Sequence, residues 1–229
     1  MKIKLIIVLF CALLMPKRAF AGIDPEAYYT DANGTEVNTW QPFEAEAPLH
    51  VRFVANASDL DADASLEWNF KHTGADGTTS ITRYGDQTEY DFVESGLTVV
   101  TLSVVVGTEV IESTSLNITI SSSHLEIPNA FSPNGDGVND YFQAKDNHKS
   151  IVDFHAYIFN RWGQKLYEWT DFSDEKKGWD GTYNGSPVKD GVYYVLVKAR
   201  GADGKVYDIR RDVNLIRKFN TTTNGSTTP

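Results

Sequence analysis

Asn134, Asp136 and Asp140 stand at positions 1, 3 and 7 of a loop punctuated by Gly135 and Gly137. Hard oxygen donors at alternate positions suit Ca²⁺, with the Val138 carbonyl available at position 5 and glycine letting the chain fold round an ion. An EF-hand needs a bidentate acid at position 12, where Lys145 stands, so Asn139 or Asp146 would have to complete the set. The competing reading is a group of Asx turns, in which the same side chains accept hydrogen bonds from backbone N–H groups. The incomplete donor set favours the turn. A second constellation is aromatic: Phe159 and Trp162 bracket Asn160-Arg161 ahead of Gly163, and Trp179-Asp180 precedes Gly181. Aromatic rings beside turn glycines usually pack, so Trp162 is expected to anchor a hairpin. The alternative makes Arg161, Trp162, Trp179 and Asp180 a surface that a protein partner reads. Catalytic patterns are missing from the sequence: His50, His72, His124, His148 and His155 form no His-Glu-x-x-His pair, and there is no Gly-x-Ser-x-Gly elbow, Walker loop or dinucleotide fingerprint. Asp59, Asp61 and Asp63 read as a solvated loop. The expectation is a protein without enzymatic activity.

The elements that must carry these residues are strands. Leu49, Val51, Phe53 and Ala55 alternate with polar neighbours, as do Leu66, Trp68 and Phe70. Tyr90 and Phe92, the dense run Leu97 to Val106, and Leu116, Ile118 and Ile120 follow, then strands suggested at Ile127–Ala130, Ile151–Phe159, Lys165–Trp169, Gly191–Ala199 and Val206–Leu215. Period-two patterning divided by Gly, Asn and Asp clusters belongs to half-buried antiparallel strands. Asn184-Gly185 and Asp203-Gly204 supply the positive φ that tight hairpin turns require. Ser121-Ser122-Ser123 marks a break between two strand-rich halves, each expected to fold on its own.

Composition sets the compartment. Lys2 and Lys4 flank the apolar run Leu5 to Met15, and Ala19-Phe20-Ala21 offers the small residues that a signal peptidase reads, so residues 1–21 are expected to be a signal peptide. The run is shorter than the ~20 apolar residues a spanning helix needs, so no direct membrane insertion is expected. The only cysteine, Cys11, lies in that run, preceded by bulky Phe10 where lipidation wants a small residue. The net charge of −10 over 229 residues argues against nucleic acid as a partner, which basic patches would serve.

Five ordered segments carry a resemblance. They are IPNAFSPNGDGVNDYF from Ile127, YIFNRWGQKLYEW from Tyr157, Trp179-Asp180-Gly181-Thr182, Pro187 to Tyr194, and Val213 to Arg217. Together they resemble the gliding-motility-associated C-terminal domain of Bacteroidota, the type-B sorting module of the type IX secretion system. The first half resembles a PKD-like domain through Ala47-Pro48-Leu49, Val51, Phe53, Trp68-Asn69-Phe70, Tyr90-Asp91-Phe92, Gly96 and Val100-Thr101-Leu102. Lys71-His72-Thr73-Gly74 stands where that family carries a Gly-Asp-Gly turn.

These resemblances imply an all-β chain of two tandem Ig-like sandwiches. The expected division is signal peptide 1–21, PKD-like sandwich 22–121, linker 122–126, sorting-type sandwich 127–217 and flexible tail 218–229. They imply a cell-surface or secreted protein delivered by type IX secretion, whose first sandwich contacts a surface protein or glycan. The alternative is an accessory part of the envelope machinery docked on an outer-membrane barrel protein, periplasmic or outer-membrane-associated.

Overall fold

The computed structural model describes residues 22–170 and 178–217. The expected signal peptide at 1–21, with Cys11, and the expected tail at 218–229 lie outside the described residues. Within them the chain is all-β, with no helix.

The first half contains β1 (Glu26–Thr30), β2 (Glu36–Thr39), β3 (Phe43–Ala45), β4 (Leu49–Val54), β5 (Ala64–Gly74), β6 (Gly77–Tyr84), β7 (Gln87–Phe92), β8 (Gly96–Val106) and β9 (Glu109–Ile120). They form two facing sheets, of order β2-β1-β4-β7 and β3-β9-β8-β5-β6. The alternation read from the sequence is the core: Val51, Phe53, Trp68, Phe70, Val100, Leu102, Leu116 and Ile118 are all buried. Trp68 sits wholly inside, 5.8 Å from the Phe53 ring and 6.1 Å from that of Trp40. Its buried N–H would be costly if unpaired, and it donates to the Gly85 carbonyl at 2.9 Å.

The second half contains β10 (Ala130–Phe131), β11 (Ile151–Phe159), β12 (Lys165–Trp169), β13 (Thr182–Tyr183), β14 (Ser186–Pro187), β15 (Gly191–Gly201) and β16 (Val206–Leu215). One sheet, of order β10-β16-β15-β11-β12, is long and regular. The layer facing it is built from short pieces: the hairpin β13–β14, which turns at Asn184-Gly185 with both φ positive, and an isolated bridge pairing Phe142 with Trp179. Rings fill the space that a second full sheet would occupy. Phe131 lies 5.3 Å from Trp179, Tyr193 5.0 Å from Trp179, and Phe142 6.4 Å from Trp169. Aromatic pairs at these separations bind beyond their area burial, by about 0.5–1.5 kcal/mol each.

The serine stretch between the halves is held by specific contacts. Ser121 donates its N–H to the Ala45 carbonyl, and Ser123 Oγ donates to Asp203 Oδ1 at 2.6 Å. Ser150, buried and at φ 45°, accepts from Ala47 N–H through its hydroxyl and from Ala202 N–H through its carbonyl. Ala202 and Val152 pack into the core of the first half. A side chain at Gly201 would run into the Ser123 side chain, so glycine is what fits this turn against the serine stretch.

Candidate functional site

Two clusters in the second half carry the residues with chemical potential. In the loop 134–140 the side-chain hydrogen bonds converge on Asn134, Asp136 and Asp140. Asp140 Oδ1 accepts from the N–H groups of Asn134 (2.9 Å) and Gly135 (2.7 Å), and Oδ2 accepts from Gly137 N–H (2.8 Å). Asp136 Oδ1 accepts from Val138 N–H at 2.8 Å, and Asn134 Oδ1 from Asp136 N–H at 3.0 Å. The backbone bonds from Gly135 and Gly137 hold the Asp140 carboxyl below its ordinary range. The loop is thus a ring of Asx turns closed on Asp140, in which the side-chain oxygens of Asn134, Asp136 and Asp140 accept hydrogen bonds from within the loop. Among the described residues no group of three or more His, Cys, Asp or Glu side chains could hold a metal ion.

The hairpin joining β11 to β12 presents the other cluster. Asn160 Oδ1 accepts from the N–H groups of both Trp162 and Gln164 at 3.0 Å, and Gly163 takes φ 79°. Gln164 in turn donates from Nε2 to the Tyr183 hydroxyl at 3.1 Å. The backbone of the tip is therefore fixed, yet the Trp162 ring lies 76% exposed with the Arg161 guanidinium 4.6 Å from its centroid. The packed ring expected of Trp162 is not found. The Asn160 side chain and Gly163 already hold the turn, so the ring is free of that task.

Trp179 and Asp180 occupy the opposite situation. The Trp179 ring is 0% exposed and its Nε1–H donates to the Thr182 carbonyl at 2.8 Å. Asp180 Oδ1 accepts from the Thr182 N–H and hydroxyl, which caps the turn. A partner-facing role for the Trp179 indole is contradicted by its burial: the ring is consumed by the core, and the structure does not bring it together with Arg161 and Trp162 on one surface. Gly181, at φ 76°, lies where a Cβ would approach an Arg217 nitrogen to 2.8 Å. Arg217 donates to the carbonyls of Gly181 (2.8 Å) and Val188 (2.6 Å) and to Asp190 Oδ1 (2.9 Å). Its part in tying the short layer to the end of β16 was not foreseen from sequence, where it stands only as the last residue of the segment Val213 to Arg217.

Residues 125–209 match the family model described as the CHU_C type IX secretion signal domain. No curated protein matches the chain. Among solved structures, the tetra-tandem repeat in the extending region of a large adhesion protein is 12% identical, covering 85% of this chain and 67% of that one with a TM-score of 0.28. A Bacteroides ovatus mixed-linkage glucan utilization protein, SGBP-B, in complex with a heptasaccharide, is 10% identical over 76% of this chain and 42% of that one, with a TM-score of 0.27. Dimeric latent PorU from Porphyromonas gingivalis is 12% identical over 88% of this chain and 21% of its own, with a TM-score of 0.25.

Proposed function

We propose that the protein is a non-enzymatic surface or secreted protein whose second sandwich is its address for type IX secretion and whose first sandwich is its payload, contacting a protein or glycan. The observation that carries the reading is the match of residues 125–209 to a type IX secretion signal domain. The matched region has its own aromatic core, and its tip holds Trp162 and Arg161 bare on a fixed turn. A rigid hairpin carrying an exposed Trp–Arg pair suits docking, since Trp and Arg dominate interface energetics and a preformed tip loses little entropy on binding. We assign the docking contact to Arg161 and Trp162, with Trp179 and Asp180 supporting the domain from within, and the loop 134–140 to turn formation.

The test fuses residues 122–229, behind a signal peptide, to a fluorescent reporter in a type IX-competent bacterium and in a secretion-deficient strain. The expected outcome is surface or medium signal in the first and periplasmic retention in the second, with Trp162→Ala retained in both while keeping its melting temperature. Retention of the unaltered fusion in both strains, together with co-purification of an outer-membrane barrel, would make the protein a machinery component instead.

A further inference from the structure

The molecule ends its sheets in different ways. β2, β3, β10 and β12 are terminal strands of five residues or fewer, and β7 carries Glu89 and Asp91 along its length. Short or charged edges are the usual guards against pairing with other chains. β6 is guarded by neither. It runs eight residues, Gly77–Tyr84, in unbroken register with β5, with neither proline nor lysine. All eight residues are exposed. Among the described residues, its backbone pairs with β5 alone. Its single charge, Arg83, folds back over the rings of Phe70 (5.7 Å) and Tyr90 (5.4 Å) and donates to the Glu89 carbonyl, leaving the strand's outer side uncharged.

Beside this edge the sandwich gapes. A cleft of about 220 Å³ opens between β6 and β7, lined by His72, Ile81, Tyr90 and Val93. Ile81 and Val93 are each 46% exposed, so the cleft offers apolar surface that nothing among the described residues covers. Its rim carries Asp91 and Glu94, whose carboxylates meet His50 Nδ1 at 2.7 Å and His72 Nε2 at 3.6 Å and still present most of their surface to solvent. The whole first half has the same sign: residues 22–121 contain 17 acidic side chains against three basic ones.

We infer that β6 and this cleft form a strand-addition site for an extended, basic segment of a partner protein. The segment pairs its backbone with the free side of β6, seats alternate apolar side chains against Ile81 and Val93, and sets Lys or Arg against Asp91 and Glu94. Backbone pairing supplies affinity and the pocket beside it supplies selectivity, as in other strand-addition modes. A second copy of this chain fits poorly, because it would bring two strongly acidic halves and two acidic rims together. The inference rests on the payload reading of the first sandwich and names its partner class.

The experiment uses the full chain and two synthetic peptides of about eight residues, a strand-length match to β6. One alternates Val with Lys, the other Val with Glu, and backbone amide shifts are followed by NMR. The expected result is saturable perturbation of the β6 amides and of Ile81 and Val93 by the basic peptide, weakened at least about tenfold by Ile81→Lys or by raised salt. Tight equal binding of both peptides, perturbation centred on another surface, or no binding at about 1 mM would each overturn the site. A dimer of the free chain with protected β6 amides would overturn it in favour of a second copy. A neutral oligosaccharide perturbing another face of the first sandwich would overturn the strand-addition site and leave the payload reading standing.

Discussion

Residues 22–121 carry 17 acidic and three basic side chains, whereas residues 127–217 carry 13 of each. The halves also differ in how charge is used. In the second, Arg217 ties Gly181, Val188 and Asp190 together, Arg211 donates to the Ile127 carbonyl, and Lys198 and Arg210 share Asp208. In the first, Arg52 and Arg83 lie over aromatic rings, and among its described residues the side chains set against carboxylates are those of His50 and His72. Two complete sheets hold the first half with few charged ties, so many of its carboxylates, such as Asp59, Asp61 and Asp76, are left to face solvent. Among the described residues the second half has no full facing sheet, and polar ties hold its short pieces. A matched charge count there reflects architecture; an unmatched one in the first half reflects display.

The strongest way to break this comparison is to remove each half's central ring. Trp68→Ala and Trp179→Ala are both expected to cost about 3–5 kcal/mol, the usual loss for a truncated buried aromatic. Trp179→Ala should also release the turn at Thr182, visible as lost hydrogen-exchange protection at Val188 and Arg217. Denaturant melts of the full chain measure both. A loss below about 1 kcal/mol in either half would place its ring outside the core.

A smaller effect sharpens the contrast in charge. Arg217→Ala should destabilise the second half by about 1.5–3 kcal/mol, because a mostly buried guanidinium is hydrogen-bonded to three groups. Arg52→Ala, which removes a cation from over the Tyr28 ring, should stay within about 0.5 kcal/mol. Equal losses would mean that charge is structural in both halves.

The smallest effect concerns the loop closed on Asp140. Its carboxyl is held low by backbone N–H groups, so the folded loop favours the ionised form. The resulting stability is present above the unfolded carboxyl value of ~3.9 and is lost as pH falls through the lower folded value. Amide shifts of Gly135 and Gly137 should therefore titrate with a midpoint below that of an ordinary aspartate. The same shifts should stay unchanged in millimolar Ca²⁺, and a saturable Ca²⁺ response would replace the turn reading with an ion site.

What the sequence made legible follows burial. β4, β5, β8 and β9 were readable because one face of each is apolar, and the alternation is the core itself. β6 was not, since Thr78, Thr79, Ser80 and Thr82 bury nothing and leave no pattern; it is a strand because β5 beside it is one. Trp162 misled for the opposite reason, since a large ring beside a glycine normally packs and here Asn160 does the work of holding the turn. The serine stretch read as a spacer because small polar residues suit one, while its bonds to Ala45, Ser150 and Asp203 depend on residues distant in the chain.

β10 and β16 are neighbours that run the same way, with Ala130 opposite Asn214 and Phe131 opposite Leu215. They are the first and last strands of the second half. Tension applied between its entry and its exit draws these two strands past each other lengthwise. The Asn214 N–H to Asn129 carbonyl and Ile216 N–H to Phe131 carbonyl bonds then share the load together, and a hairpin's one-by-one unzipping is avoided. The geometry suits a module that resists being pulled apart from its ends.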